Sequence, residues 1–245
     1  MIKKDFHIHS FFSDGIDDPE DVITEAIMRS MTVIGFSDHS YTDFDESYCI
    51  KKELIETYKA EINRLKDKYR DDITVLCGVE QDYYSNEPTA GFDYVIGSVH
   101  YVKSGDVYTP VDLDPDTLLS AADKYFGGDI YALIENYYHA VGKIAERINA
   151  DIIGHFDLIT KFNEKTPLFD TQNPRYIKAW KTAVDKLIPY NIPFEINTGA
   201  ISRGYRTTPY PGDDIKAYIE NRGGSFIYSS DAHKKEDIMY NFPTD

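Results

Sequence analysis

Histidine recurs in this chain where short apolar runs give way to polar loops: His7 and His9 in DFHIHS, His39 in GFSDHS, His100 in YVIGSVH, His155 in ADIIGHFD and His233 in SFIYSSDAH. Carboxylates stand at positions of the same kind, namely Asp14 in FFSDG, Glu80 in VLCGVEQD and Asp231 in SSDAH. Imidazole and carboxylate suit zinc, iron and manganese. Nine such groups are too many for one ion and about right for two or three, so a multinuclear metal site is expected. A single histidine at a strand end is ordinarily hydrogen-bonded structure. Here six of the seven histidines fall at such ends, and only His139, in IYALIENYYHAVGKIAERIN, reads as a helix residue. His7 and His9 are two apart on a strand and so point to one face; Asp231 and His233 repeat that spacing near the other end.

The elements that must position these groups follow from the apolar pattern. Seven runs, KKDFHIH, TVIGFSD, ITVLCGVE, DYVIGSVH, ADIIGHF, IPFEINT and GSFIYSS, are apolar on both faces, which predicts buried parallel strands. Helical patterns lie between them, at roughly 18–30, 50–70, 115–126, 129–150, 172–189 and 212–222. The first has Asp17 or Asp18 as N-cap and Pro19 at the first helical position. Such alternation predicts an α/β fold with a parallel sheet. Ligands spread over six strand ends cannot meet at the single switch point of an open sheet. They converge on the C-terminal rim of a (β/α) barrel, so a seven-stranded TIM-like barrel is expected, as one domain over 1–245.

Composition bounds the partners. A 42% hydrophobic and 28% charged chain of 245 residues describes a soluble globular protein. No stretch approaches a membrane span, and MIKKDFHIHS reads as a strand rather than a signal peptide. Cys49 and Cys77 give no disulfide framework, which fits a reducing cytoplasm. A net charge of −16 argues against nucleic acid. It does not exclude a small phosphate, because divalent ions beside Asp14, Glu80 and Asp231 would make the pocket locally positive. Nothing in the sequence speaks to oligomeric state.

The ordered motifs DxHxH, SDG, SDH, GVE, SVH, GHFD, EIN and SDAH resemble the PHP (polymerase and histidinol phosphatase) superfamily over residues 5 to 233. The segment EINTGAISRGYRTTPYP, residues 195–211, resembles its histidinol-phosphate phosphatase branch. The resemblance implies a distorted seven-stranded barrel holding three metal ions. It implies His7, His9, Glu80 and Asp231 on the first, Glu80, His100 and His155 on the second with Glu80 bridging, and Asp14, His39 and His233 on the third. Many relatives carry His where this chain has Asp14; the harder carboxylate shifts the balance from zinc towards iron or manganese. Relatives also continue through another helix where this chain stops at YNFPTD, so a barrel closed differently, or a lost end, is expected.

The implied chemistry is hydrolysis of a phosphomonoester by a metal-bound hydroxide, with no Ser or Cys nucleophile. Glu80 bridges, and Asp231 or His233 passes a proton to the departing alkoxide. Asp5 and Asp38, beside ligands, are candidates to orient imidazoles. Arg203 resembles the family's phosphate-contacting arginine, and Lys161 stands where relatives place a basic residue. Asn197 is a candidate contact for the substrate's amino or imidazole group, Asp14 or Glu195 for added negative charge, and Phe12, Tyr84, Tyr101 and Tyr205 for an aromatic wall. The expected enzyme is a histidinol-phosphatase-like hydrolase with two to three ions (Zn, Fe or Mn) and a small phosphorylated substrate. Phosphotyrosine or a nucleotide is the alternative substrate, and a non-catalytic metal-stabilised module the alternative class.

Overall fold

The computed structural model describes residues 3–243. Strands are numbered along the chain: β1 (Lys4–Asp5), β2 (Val33–Phe36), β3 (Thr74–Asp82), β4 (Tyr94–Ser98), β5 (Tyr101–Ser104), β6 (Val107–Pro110), β7 (Ile152–Ile153), β8 (Phe194–Asn197) and β9 (Phe226–Ser229). Seven of them form one parallel sheet in the order β1-β2-β3-β4-β7-β8-β9, while β5 and β6 pair as a separate antiparallel hairpin. The sheet curls into a nearly closed barrel, as the sequence predicts. Its seam lies at the first histidine motif. Ile8 bridges Ala232 in parallel, with the His9 amide donating to the Ala232 carbonyl at 2.9 Å and the Ala232 amide to the His7 carbonyl at 3.2 Å. Buried Asp5 reinforces the seam by accepting from the amides of Ser230 (3.1 Å) and Met239 (3.0 Å).

The helices form where caps and apolar stripes place them. In α1 (Pro19–Met28) the Asp18 carboxylate accepts from the Glu20 amide and Pro19 opens the first turn. Asp114, Asp129 and Asn173 cap α3 (Pro115–Tyr125), α4 (Ile130–Val141) and α6 (Pro174–Leu187) in the same way. α2 (Ile55–Lys68) buries Tyr58, Ile62 and Leu65 against the sheet, and α8 (Asp213–Asn221) buries Ile215 and Ile219. The helix expected over 129–150 is divided instead. It breaks after Val141 and resumes as α5 (Ile144–Ile148), with Gly142 passing so close to α6 that a Cβ there would meet the Ala183 Cα at 3.1 Å. A short helix, α7 (Gly199–Ser202), follows β8 directly.

After β9 the described chain passes through a single 3-10 turn, Lys235–Asp237, and folds back over α1. Ile238 is buried, and Arg29 donates to its carbonyl at 2.8 Å and to that of Glu236 at 3.0 Å. Thr244 and Asp245 of the YNFPTD end lie outside the described residues. No helix among the described residues is long and apolar enough to cross a membrane.

β1 is shorter than KKDFHIH implies because Tyr94 takes part of its backbone. The Tyr94 hydroxyl lies 2.5 Å from the Phe6 carbonyl and 3.0 Å from that of Phe36, linking β4 to the first two strands across the barrel interior. Two glycines make room for its ring. A Cβ on Gly78 would lie 2.3 Å from the Tyr94 ring, and one on Gly35 would lie 2.4 Å from its hydroxyl. Gly78→Ala should therefore force the ring off its carbonyls and destabilise the protein by about 1–3 kcal/mol. A urea titration checks this, and an unchanged midpoint would show that the barrel centre has slack.

Candidate metal centre

The C-terminal ends of the strands bring all nine sequence-predicted groups to one rim. His7 and His9 follow β1, Asp14 lies in the next loop, His39 follows β2, and Glu80 sits within β3. His100 follows β4, His155 follows β7, and Asp231 and His233 follow β9. Glu80 is at the centre. One of its oxygens lies 3.3 Å from His100 Nε2 and 2.9 Å from His155 Nε2. The other lies 2.8 Å from His39 Nδ1, 3.3 Å from His7 Nε2 and 3.7 Å from His9 Nε2. Asp231 approaches His9 at 3.3 Å and His7 at 3.7 Å from the opposite side. Asp14 meets His233 at 3.1 Å, His9 at 3.6 Å and His39 at 3.7 Å.

These residues fit metal ions. Buried side-chain atoms without a hydrogen-bond partner gather here: His7 Nε2, both ring nitrogens of His9, both oxygens of Glu80 and His155 Nδ1. Buried polar atoms are rarely left so. A cation shared between the Glu80 oxygens and the imidazoles around them would satisfy these atoms. Three overlapping groups have ligand atoms within 4.8 Å of one another: His9, Asp14, His39 and His233; His7, His9 and Glu80; His39, Glu80 and His100.

The electrostatics are those of a tightly coupled cluster. Burial alone would push the Glu80 carboxyl up, but His7, His39 and His100 outweigh it and hold it well below the usual carboxylate range. Against the same effect of burial, Arg203 and His7 keep Asp231 ionised, and His39 and His233 keep Asp14 so. His9 goes the other way: burial, then the neighbouring His233 and His39 rings, push its pKa down to about 3. Neutral imidazole is the form that ligates; His7, His39 and His100 are instead raised against burial by the carboxylates beside them, so an ion bound there would displace their protons.

Two carboxylates behind the cluster orient it, in a manner the sequence reading assigned to others. Glu195 lies 2.7 Å from His7 Nδ1 and also accepts from the His155 amide at 2.9 Å. Asp82 lies 3.1 Å from His100 Nδ1 and accepts from the His100 amide at 3.0 Å. Each fixes the tautomer that presents Nε2 to the centre. Asp82, two residues beyond Glu80 on β3 and therefore on the same face, was readable from GVEQD but not singled out. Asp5 and Asp38 do not touch imidazoles. Asp5 holds the barrel seam, and Asp38 accepts from the amide and hydroxyl of both Ser10 and Ser13 (2.6–3.1 Å), which shapes the loop that carries Asp14.

A cavity of about 460 Å³ opens above the cluster, walled by Asp14, His39, His100, His155, Asp231 and His233 together with Arg203, Lys161, Tyr101 and Tyr205. Arg203 is anchored to Asp231, through its carboxylate at 3.0 Å and its carbonyl at 2.8 Å. Lys161 reaches Asp112, lying 2.8 Å from its carbonyl and 3.2 Å from its carboxylate. Asn197, a candidate substrate contact in the sequence, is fully buried beneath the cavity, its amide donating to Glu195 at 3.0 Å and Asp231 at 3.3 Å, so it braces two carboxylates. Glu195, buried with it, adds no charge to the cavity wall. Phe12 packs edge-on against Tyr58 in the core, and Tyr84 leans on Tyr108 outside the cavity; Tyr48, unmarked in the sequence, is in the wall instead. A larger cavity of about 620 Å³ lies between α6 and α8 and shares none of the nine groups. The titratable cluster decides which one holds the chemistry.

Comparison with known proteins gives the same frame. The PHP domain family model matches residues 5–199. The chain is 28% identical over 242 residues to the "Probable histidinol-phosphatase" of Schizosaccharomyces pombe, covering 91% of this chain and 77% of that protein. The crystal structure of hisK from Listeria monocytogenes superposes with a TM-score of 0.84 at 19% identity, covering 98% of both chains. The histidinol phosphate phosphatase of Lactococcus lactis subsp. lactis Il1403, crystallised with zinc, L-histidinol and phosphate, gives a TM-score of 0.68 at 21% identity over 96% of this chain and 87% of its own. The chain therefore belongs to the PHP domain family.

Proposed function

We propose that this protein is a metal-dependent phosphoric monoester hydrolase that releases phosphate from L-histidinol phosphate. The observation that carries the reading is the buried Glu80 carboxylate ringed by five imidazoles at 2.8–3.7 Å, directly beneath a cavity with Arg203 and Lys161 in its wall. The substrate is taken from relatives: a histidinol-phosphatase name in Schizosaccharomyces pombe and bound L-histidinol and phosphate in the Lactococcus protein.

Two to three divalent ions, zinc, iron or manganese, would be held by the nine groups. His7, His9, Glu80 and Asp231 form one set, Glu80, His100 and His155 a second, and Asp14, His39 and His233 a third. His39 stands between the last two, since its Nδ1 is nearer Glu80 than its Nε2 is to Asp14. When bound, the ions supply Lewis acidity that activates water near neutral pH and offsets charge on phosphoryl oxygens.

The chain's own residues do the rest. Glu195 and Asp82 hold the His7 and His100 rings in one orientation, and Asn197 braces Glu195 and Asp231. Arg203 and Lys161 attract the dianionic phosphate into the cavity; the Arg203 fork, fixed on Asp231, meets the phosphate without loss of side-chain freedom. Of Asp231 and His233, which line the cavity beside Arg203, Asp231 is held ionised and has no proton to give, which leaves His233 as the candidate donor to the departing alkoxide.

The test is phosphate release from L-histidinol phosphate, phosphotyrosine and a nucleoside monophosphate, combined with elemental analysis. L-Histidinol phosphate should lead in kcat/KM by orders of magnitude, and chelation should abolish activity and lower the melting temperature together, because ligands that bind the folded state stabilise it. Full activity in a metal-free sample, or preference for either rival ester, would refute the reading. Glu80→Gln in a folded protein should lower kcat on the order of 10²-fold or more; near-normal turnover would show that Glu80 is misassigned. Glu195→Gln should weaken metal affinity or activity about 10- to 100-fold through the His7 ring. Added metal should restore much of that loss, whereas a purely structural lesion would not respond.

A further inference from the structure

The cavity has a second pole, away from the histidines. The loop after β2 and the β5–β6 hairpin meet there. Phe44 stacks on Tyr108 with ring centroids 3.9 Å apart, and its edge meets Tyr101 at 4.9 Å. The Tyr48 ring stands against His39 at 4.8 Å, leading from the cluster along the wall to Tyr101. The Tyr101 hydroxyl donates to the Asp45 carboxylate at 2.8 Å. The other Asp45 oxygen accepts from the Ser47 amide at 3.0 Å and its hydroxyl at 2.6 Å. Asp45 is thus fixed in place, one aromatic layer beyond the histidines.

Its charge is the uncommitted one. The cavity wall holds four carboxylates. Asp14 and Asp231 belong to the histidine cluster, and Asp112 is paired with Lys161 at 3.2 Å. Asp45, among the described residues, takes only neutral hydrogen bonds, and a carboxylate has lone pairs to spare for a further donor. A phosphate seated near Arg203 would leave its alcohol the rest of the same cavity, whose wall runs through Tyr48 and Tyr101 to this anion. We propose that Asp45 is the specificity-determining residue of the site, selecting phosphomonoesters whose alcohol part carries a positive charge, an ammonium or a protonated imidazole. The proposal rests on the phosphomonoesterase reading above and adds which end of the substrate is read, and by what.

The test compares kcat/KM for two cationic esters, L-histidinol phosphate and O-phosphoethanolamine, with that for neutral propyl phosphate, in wild type and Asp45→Asn protein. The cationic-to-neutral ratio should fall roughly 10- to 100-fold in Asp45→Asn, the range for a lost charge-assisted hydrogen bond. Tyr101→Phe, which only loosens Asp45, should lower the same ratio by less. A ratio unchanged in Asp45→Asn, including an equal loss on all three esters, overturns the proposal, as does a wild-type protein without preference for cationic esters. If O-phosphoethanolamine outruns L-histidinol phosphate and that preference collapses in Asp45→Asn, the substrate assigned above is wrong and the role of Asp45 stands.

Discussion

A carboxylate buried among imidazoles sets the terms for the whole molecule. Glu80 is 1% exposed, and neither of its oxygens has a hydrogen-bond partner. An ionised carboxylate in that position survives only with positive charge around it. Everything at the rim follows from that demand. The parallel strands deliver five imidazoles from four strand ends, those of β1, β2, β4 and β7, to one point. Glu195 and Asp82 are required because an imidazole offers a ligating nitrogen only when its other nitrogen is held. Asp38, pinned by two serines, is required because Asp14 otherwise sits on an unsupported loop.

Polar residues beneath the rim therefore form layers with distinct tasks. Those facing the cavity meet ions or substrate, and those behind them hold directions. Asn197 belongs with those behind. It closes β8, where its amide nitrogen serves Glu195 and Asp231 and its oxygen accepts from the Gly199 amide at 3.0 Å.

Much of this was legible in the chain itself. The seven strands, the six helical segments and the convergence of His7, His9, Asp14, His39, Glu80, His100, His155, Asp231 and His233 follow from runs, caps and strand-end chemistry. What escaped has identifiable causes. The β5–β6 hairpin is short, but Gly105-Asp106 between YVKS and VYTP was a usable two-residue turn signal. The division at Gly142 depends on how closely α4 approaches α6, a tertiary fact. Asp5, Asp38 and Asp82 are all carboxylates next to ligands. Whether each faces a ring or a backbone amide is decided by loop geometry rather than by neighbours in sequence.

The seam at Ile8 and Ala232 has a consequence for the order of events in the cell. Asp5 and Ser230, hydrogen-bonded across that seam, are 225 residues apart in the chain. On a ribosome the first histidines emerge early, whereas Asp231 and His233 come last. A nascent chain therefore carries a half-built cluster through most of its synthesis, with a loop of nearly full length still to close. On the metal-dependent reading proposed above, a complete set of ions could be acquired only after Asp231 and His233 have been made, and a cation met by His7 and His9 beforehand would compete for a site that does not yet have its final shape.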